Sequence, residues 1–179
     1  MSDLDEPVEL EEHQPRWRDE FERRRAELAA TLGVPPEDVE HIGSTAVPGL
    51  PAKPIVDLML GVDDLAARPG DHDALTRLGY EAMGEAGVPG RLYFRCRGKH
   101  PTNLHLVQKN GIHWVNNLAL RDYLRESADA RDRYARAKRH ALAGGARTLL
   151  AYSAAKAATT EELLREALDE LWKRQSSSR

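Results

Sequence analysis

Cysteine is nearly absent from this 179-residue chain: Cys96 stands alone. That excludes a disulfide framework and any zinc site built from several thiolates. Long apolar runs are missing as well, and no stretch approaches the ~18 residues that a bilayer-spanning helix needs. The first 14 residues hold six Asp and Glu, no Lys or Arg and no apolar core, so they do not read as a secretory leader. The expected setting is cytoplasmic, with no membrane partner. A strong overall charge is also lacking: 26 Lys and Arg face 29 Asp and Glu, for a net charge of -3. A duplex-binding protein is ordinarily basic throughout, so duplex nucleic acid is not an expected partner.

What is present reads as one ordinary globular domain. Hydrophobic residues make up 41% and charged residues 31% of a length that buries a real core. The charge is unevenly placed. Between Arg91 and His140, twelve Lys and Arg face four Asp and Glu. Such a basic middle either focuses an anionic ligand or supplies solvated helix faces; residues 121 to 140 fit the second, because their charges fall at helical spacing.

The acidic stretch 1–14 reads as a mobile arm and 15–173 as a single domain, with 174–179 a disordered tail. Trp17, Phe21, Leu28 and Leu32 repeat at helical spacing until Gly33 and Pro35-Pro36 stop them. Val39 to Ile42 reads as a short strand, and Gly43 to Lys53 as a loop of Gly, Ser, Thr and Pro. Ile55 to Val62 is apolar except for Asp57, the pattern of a strand covered on both faces. A short helix over Asp71 to Leu78 closes on Gly79. Strands follow at Tyr80 to Glu85, Arg91 to Arg97 and Asn103 to Gln108. Beyond Gly111 the pattern is helical, with a break at Gly144-Gly145 and a last helix from Ser153 to Trp172. Trp114 and Trp172 read as core, as aromatics at helical spacing usually are. The fold class is α+β: a strand-built middle between helices, helical toward the C-terminus.

The chemistry concentrates in His41 to Leu60, HIGSTAVPGLPAKPIVDLML. Gly43 permits close backbone approach, and the Ser44 and Thr45 hydroxyls can donate to phosphate or carboxylate oxygens. Asp57 is the sharper signal: a carboxylate on an apolar strand needs a cation, a metal or several donors. Lys53 reads either as a phosphate contact or as the partner of a surface acid, and Arg95 and Arg97 share a strand face suited to a polyphosphate. Arg121 and Asp122 read equally as part of a site or as a helix-to-sheet brace.

The same segment resembles the signature of the GrpB family. NLHLV at 103–107, LRDYLR at 120–125 and AYSAAK at 151–156 are similar to further family blocks in the same order, so the resemblance runs from about Trp17 to Trp172. It implies a place in the nucleotidyltransferase superfamily: a mixed β-sheet flanked by helices and a Gly-Ser loop gripping phosphates. It also implies carboxylates holding Mg²⁺ to align a triphosphate. The sequence departs from that pattern. Whichever position Asp57 fills, its partner acid is replaced by Ile55 or Met59, and the strand for a third acid carries His105.

The expectation is a nucleotide-binding, nucleotidyltransferase-like protein with one divalent metal, Mg or Mn with Zn as a further option. It would pass a nucleotidyl or phosphoryl group to a small acceptor. Asp57 and His105 would be catalytic; Gly43, Ser44, Thr45, Lys53 and Arg95 would hold nucleotide; Asp57, His105 and His41 would hold metal. Three other readings stand beside it: a degenerate, non-catalytic nucleotide- or anion-binding module, a metal-dependent enzyme of other chemistry built on the two histidines, and histidines that only bond neighbouring backbone.

Overall fold

A computed structural model describes residues 5–68 and 70–177. Helix α1 (Arg16–Leu32) leads through a 3-10 turn into β1 (Val39–Ile42), and a second 3-10 turn at Ser44–Ala46 precedes β2 (Val56–Val62). Then come α2 (Gly70–Arg77), β3 (Glu81–Ala82), β4 (Arg91–Cys96) and β5 (Thr102–Gln108). Three helices finish the chain: α3 (Ile112–Glu126), α4 (Ala128–Ala143) and α5 (Leu149–Ser177). Gly33, with φ of 64°, takes the left-handed cap that ends α1.

The five strands form one sheet in the order β1-β2-β5-β4-β3. β2 and β5 are parallel at its centre, and every other pairing is antiparallel. Strand alternation then sorts the side chains. On one face Leu58, Leu60, Leu104 and Leu106 join Trp17, Phe21 and Leu28 of α1 and Leu75 of α2 in the largest core cluster. On the other face Ile42, Met59 and Val107 meet Trp114 of α3. Gly61 on that face is required: a Cβ there would lie 2.6 Å from the Trp114 ring. The central strands are thus covered on both faces, as the apolar run of β2 implies.

Several boundaries differ from the sequence reading. The segment taken as a mobile arm is docked where it is described: Val8 is buried, its N–H bonds to the Arg147 carbonyl, and Glu11 exchanges two backbone bonds with Ala52. Residues 1–4 lie outside the described residues. The edge strand expected over Tyr80 to Glu85 pairs only at Glu81 and Ala82. The last helix starts four residues earlier than expected, because Leu149 and Tyr152 pack beneath the docked N-terminal segment with Val8. It also runs on through Ser177, so 174–177 are helical, while 178–179 lie outside the described residues. Trp114 is core as expected; Trp172 is not, at 72% exposed. The last buried residue of α5 is Ala167, and the helix outruns the body that would have covered the tryptophan. Among the described residues no helix is long and apolar enough to cross a membrane.

Candidate functional site

The site grows from one residue pair. β2 and β5 run parallel, so the register sets Asp57 beside Asn103 and Met59 beside His105, all on the face turned away from α1. Asn103 Nδ2 donates to Asp57 Oδ1 at 2.7 Å, and His105 Nε2 stands 3.6 Å from the same oxygen. The contacts continue both ways. Arg97 donates to Asn103 Oδ1 at 3.0 Å, and Arg91 bonds His105 Nδ1 at 3.2 Å. With Arg91 donating to Nδ1, a neutral imidazole carries its proton on Nε2, facing Asp57.

Gly43 shapes the other side of the carboxylate. It has φ of 69°, and a Cβ there would stand 2.7 Å from Asp57 Oδ2. Only glycine lets the loop close over the acid in that conformation. Burial pushes the Asp57 pKa up, but His105, Lys53 and Asn103 together hold it below the ordinary carboxylate value. Asp57 is therefore ionised at neutral pH, with 25% of its side chain still exposed.

Around this pair lies a cavity of about 460 Å³. Gly43, Ser44 and Lys53 come from the loop, Arg91 and Tyr93 from β4, and Tyr134, Lys138, Tyr152 and Lys156 from the two C-terminal helices. Four of these side chains are Lys or Arg, and Asp57 is the one acid lining the cavity among the described residues. Lys53 also lies 4.0 Å from Glu6, and Arg97 holds the same carboxylate through two bonds of 2.8 Å. Three buried polar atoms of the lining have no hydrogen-bond partner: Arg91 Nε, His105 Nε2 and Tyr152 Oη.

The residues expected from the sequence divide cleanly. Asp57, His105, Gly43, Ser44 and Lys53 converge on the cavity. Thr45 borders it too, but its hydroxyl is engaged by His41 Nε2 at 2.9 Å. His41 itself is on the opposite face: it pairs with Leu58 rather than Asp57, and its ring stacks on Phe21 at 4.7 Å. The neighbouring strands do bring it close in sequence order, yet alternation turns it away. Burial, helped by Arg125 and Arg121 and opposed by Asp57, lowers its pKa to about 3, so it is a neutral packing group. Arg95 does not line the cavity; its Nε donates to Glu81 on the edge strand at 2.9 Å. Arg121 serves as the brace, tying α3 to Glu40 at 2.6 Å and to the His41 carbonyl at 3.1 Å.

A resident divalent metal does not suit this donor set. Among the described residues no three His, Cys, Asp or Glu converge as ligands, and with His41 turned away only Asp57 and His105 remain. Mg²⁺ in particular wants several hard oxygens, whereas this lining is dominated by cations.

Sequence reasoning passed over Arg91, Asn103, Tyr134, Lys138, Tyr152 and Lys156. Signals existed for three of them. Asn103 opens the strand of His105 at the same parity, and Tyr152 and Lys156 sit in the AYSAAK block. Lys138 was hidden in a helix whose charges read as solvated.

Comparison with known proteins adds the lineage. A family profile described as GrpB protein matches residues 7–166. A UPF0157 protein of Halalkalibacterium halodurans is 35% identical over 162 residues, spanning 89% of this chain and 82% of the relative. Another, from Streptomyces coelicolor, is 37% identical over 132 residues, 74% of this chain and 69% of that protein. The crystal structure of the conserved protein GrpB from Enterococcus faecalis matches with a TM-score of 0.81 at 32% identity, over 92% of this chain and 99% of that one.

Proposed function

The chain belongs to the GrpB family, and from that premise we propose that its cavity binds a nucleotide or a similarly phosphorylated small molecule. The observation that carries this reading is the set of buried atoms without partners. Arg91 Nε, His105 Nε2 and Tyr152 Oη belong to three side chains that line one cavity, beside Lys53, Lys138 and Lys156. Buried polar atoms are satisfied in the great majority of cases, and a cluster of unsatisfied ones asks for a ligand. The cationic wall selects an anion, and Gly43-Ser44 offers backbone and hydroxyl donors to it. The tyrosines supply flat apolar surface for a base or sugar. A cavity of about 460 Å³ suits a small molecule.

In this reading the nucleotidyltransferase resemblance concerns the binding of phosphates. A divalent ion carried on the ligand's own phosphates would meet Asp57 as the one carboxylate of the lining among the described residues. The test is thermal shift against a nucleotide panel, each with and without Mg²⁺ or Mn²⁺. At a hundredfold excess over Kd a ligand stabilises the fold by about 2.7 kcal/mol, which is roughly 5–10 °C for a chain of this size. Lys53→Met and Arg91→Met remove the shift. Stability unchanged by every nucleotide, with or without metal, overturns the proposal.

A second reading, transfer of a nucleotidyl or phosphoryl group to a small acceptor, is favoured by the Asp57–His105 pair. Asp57, 3.6 Å away, orients the Nε2–H of His105, which can give its proton to the departing phosphate oxygen as the acceptor attacks. Release of pyrophosphate or phosphate from the nucleotide that binds, in the presence of a pooled metabolite extract, checks it. His105→Ala lowers that release by roughly 10²-fold or more while the thermal shift persists. Release that is equal in the variant removes His105 from the mechanism.

A further inference from the structure

The helical wall of the cavity contains a lysine that the fold buries without an acid. Lys138 projects from α4 with 2% of its surface exposed. Its Nζ donates to the Pro51 carbonyl and lies 5.5 Å from the centroid of the Tyr134 ring. Among the described residues no carboxylate ion-pairs with it. Its charged neighbour is another lysine: Lys156 Nζ stands 5.5 Å from the same ring and donates to the Tyr134 hydroxyl at 3.2 Å.

A buried ammonium with only a carbonyl and a ring face for company is costly, and a neutral donor would brace α4 to the loop equally well. A lysine desolvated beside a second cation is the arrangement that frees an amine for nucleophilic attack. Here burial first, and then Lys156, opposed by Asp57, lowers the Lys138 pKa to about 7, well below the ordinary lysine value, which favours the free amine. Tyr152 completes the group. Its Oη is buried without a partner, it borders the same cavity, and burial raises its pKa, so it keeps a proton to give.

We propose that Lys138 is the nucleophilic amine of this cavity and forms an imine with a small phosphorylated aldehyde or ketone. The inference rests on the anion-binding reading and narrows the ligand to one carrying a carbonyl group. The Nζ lone pair adds to the carbonyl carbon, forming the C–N bond, while the π pair moves to oxygen and takes the Tyr152 proton. The nitrogen returns a proton to the Tyr152 phenolate, and Tyr152 passes it to the hydroxyl, which leaves as water as the nitrogen lone pair forms the C=N bond. The protonated imine then gives its N–H proton back to Tyr152. Amine plus carbonyl gives imine plus water, with no oxidant or other co-reactant. Lys53 and Arg91 hold the phosphate meanwhile.

Pyridoxal 5′-phosphate and pyridoxal serve as probes that differ only in the phosphate. Each is incubated with the full chain, reduced with borohydride and mapped by peptide mass spectrometry. The expected result is an adduct on Lys138 at least tenfold above that on exposed Lys99, with the phosphorylated probe and not with pyridoxal. Lys138→Arg keeps a donor for Pro51 and abolishes the adduct, whereas Lys99→Arg leaves it unchanged. The wild-type map decides the question even where a variant folds poorly. Labelling of Lys138 no stronger than Lys99, or directed to Lys53 or Lys156, overturns the inference. If pyridoxal phosphate then still raises the melting temperature, the anion-binding proposal stands alone. If neither it nor any nucleotide does so, both readings fall.

Discussion

The two faces of the sheet are built from the same strands and do opposite work. Toward α1 and α2, Val56, Leu58, Leu60 and Val62 of β2 and Leu104 and Leu106 of β5 are buried and packed on aromatic and aliphatic partners. Toward the cavity the same strands present Asp57, Asn103 and His105: Asn103 donates to Asp57, His105 stands 3.6 Å from it, and polar atoms with no hydrogen-bond partner border them. Two histidines make the contrast concrete. His41 is stacked, bonded to Thr45 and neutral; His105 faces a carboxylate and an arginine across a cavity. The difference teaches that strand alternation lets one short β2–β5 pair supply stability and chemistry without either compromising the other.

The comparison is broken most forcefully on the apolar face. Leu58→Ala, at a fully buried position, costs about 3–5 kcal/mol and lowers the melting temperature by roughly 10 °C. The ligand-induced shift of the folded fraction should survive, and its loss would mean the faces are coupled. Acid tests His41 next. Its folded pKa of about 3 lies below the ordinary value of 6.5, so the unfolded chain binds the extra proton between them. Stability is present in full above pH 6.5 and falls by up to about 1.4 kcal/mol per unit on acidification toward 3. Denaturant titrations at pH 7 and 5 measure this slope, and His41→Gln flattens it; an unchanged slope in the variant would exclude His41 as its source.

Gly43→Ala sits between the two regions. The positive φ and the 2.7 Å approach to Asp57 together predict a loss of about 1–3 kcal/mol and a displaced carboxylate. Nucleotide binding should weaken along with stability. The smallest stability effect is expected at the cavity itself: His105→Ala changes the unfolding free energy by about 1 kcal/mol or less, since it removes one hydrogen bond, from Arg91 to Nδ1, and Asp57 keeps its bond from Asn103. A large destabilisation there would make His105 a structural residue.

Much of this was legible in the chain. The apolar run around Asp57 and the alternation in Arg91 to Arg97 follow from periodicity, and β2, β4 and β5 lie where those patterns put them. The Gly43-Ser44, Asp57 and His105 grouping was legible for the same reason: one loop and two strands carry it. His41 was misplaced because parity across an antiparallel pair depends on register, which β1 is too short to reveal. Lys138 and Tyr134 escaped because helix-to-sheet docking decides which part of a charged helix is buried. The N-terminal segment escaped because its docking depends on a few backbone bonds and on Glu6 meeting Arg97, none of which leaves a pattern.

The parallel pairing of β2 with β5 also has a kinetic consequence. Asp57 and Asn103 are 46 residues apart in the chain, and everything from α2 to β4 must be looped out before they meet. Loop closure over such a span is entropically opposed and belongs to the slow, non-local part of folding. A half-folded chain, with its early helix formed, would have no pocket to offer, so ligand capture reports arrival at the finished topology. Followed through refolding, the recovery of ligand binding should trail the recovery of helical signal, and the lag times the joining of the two central strands.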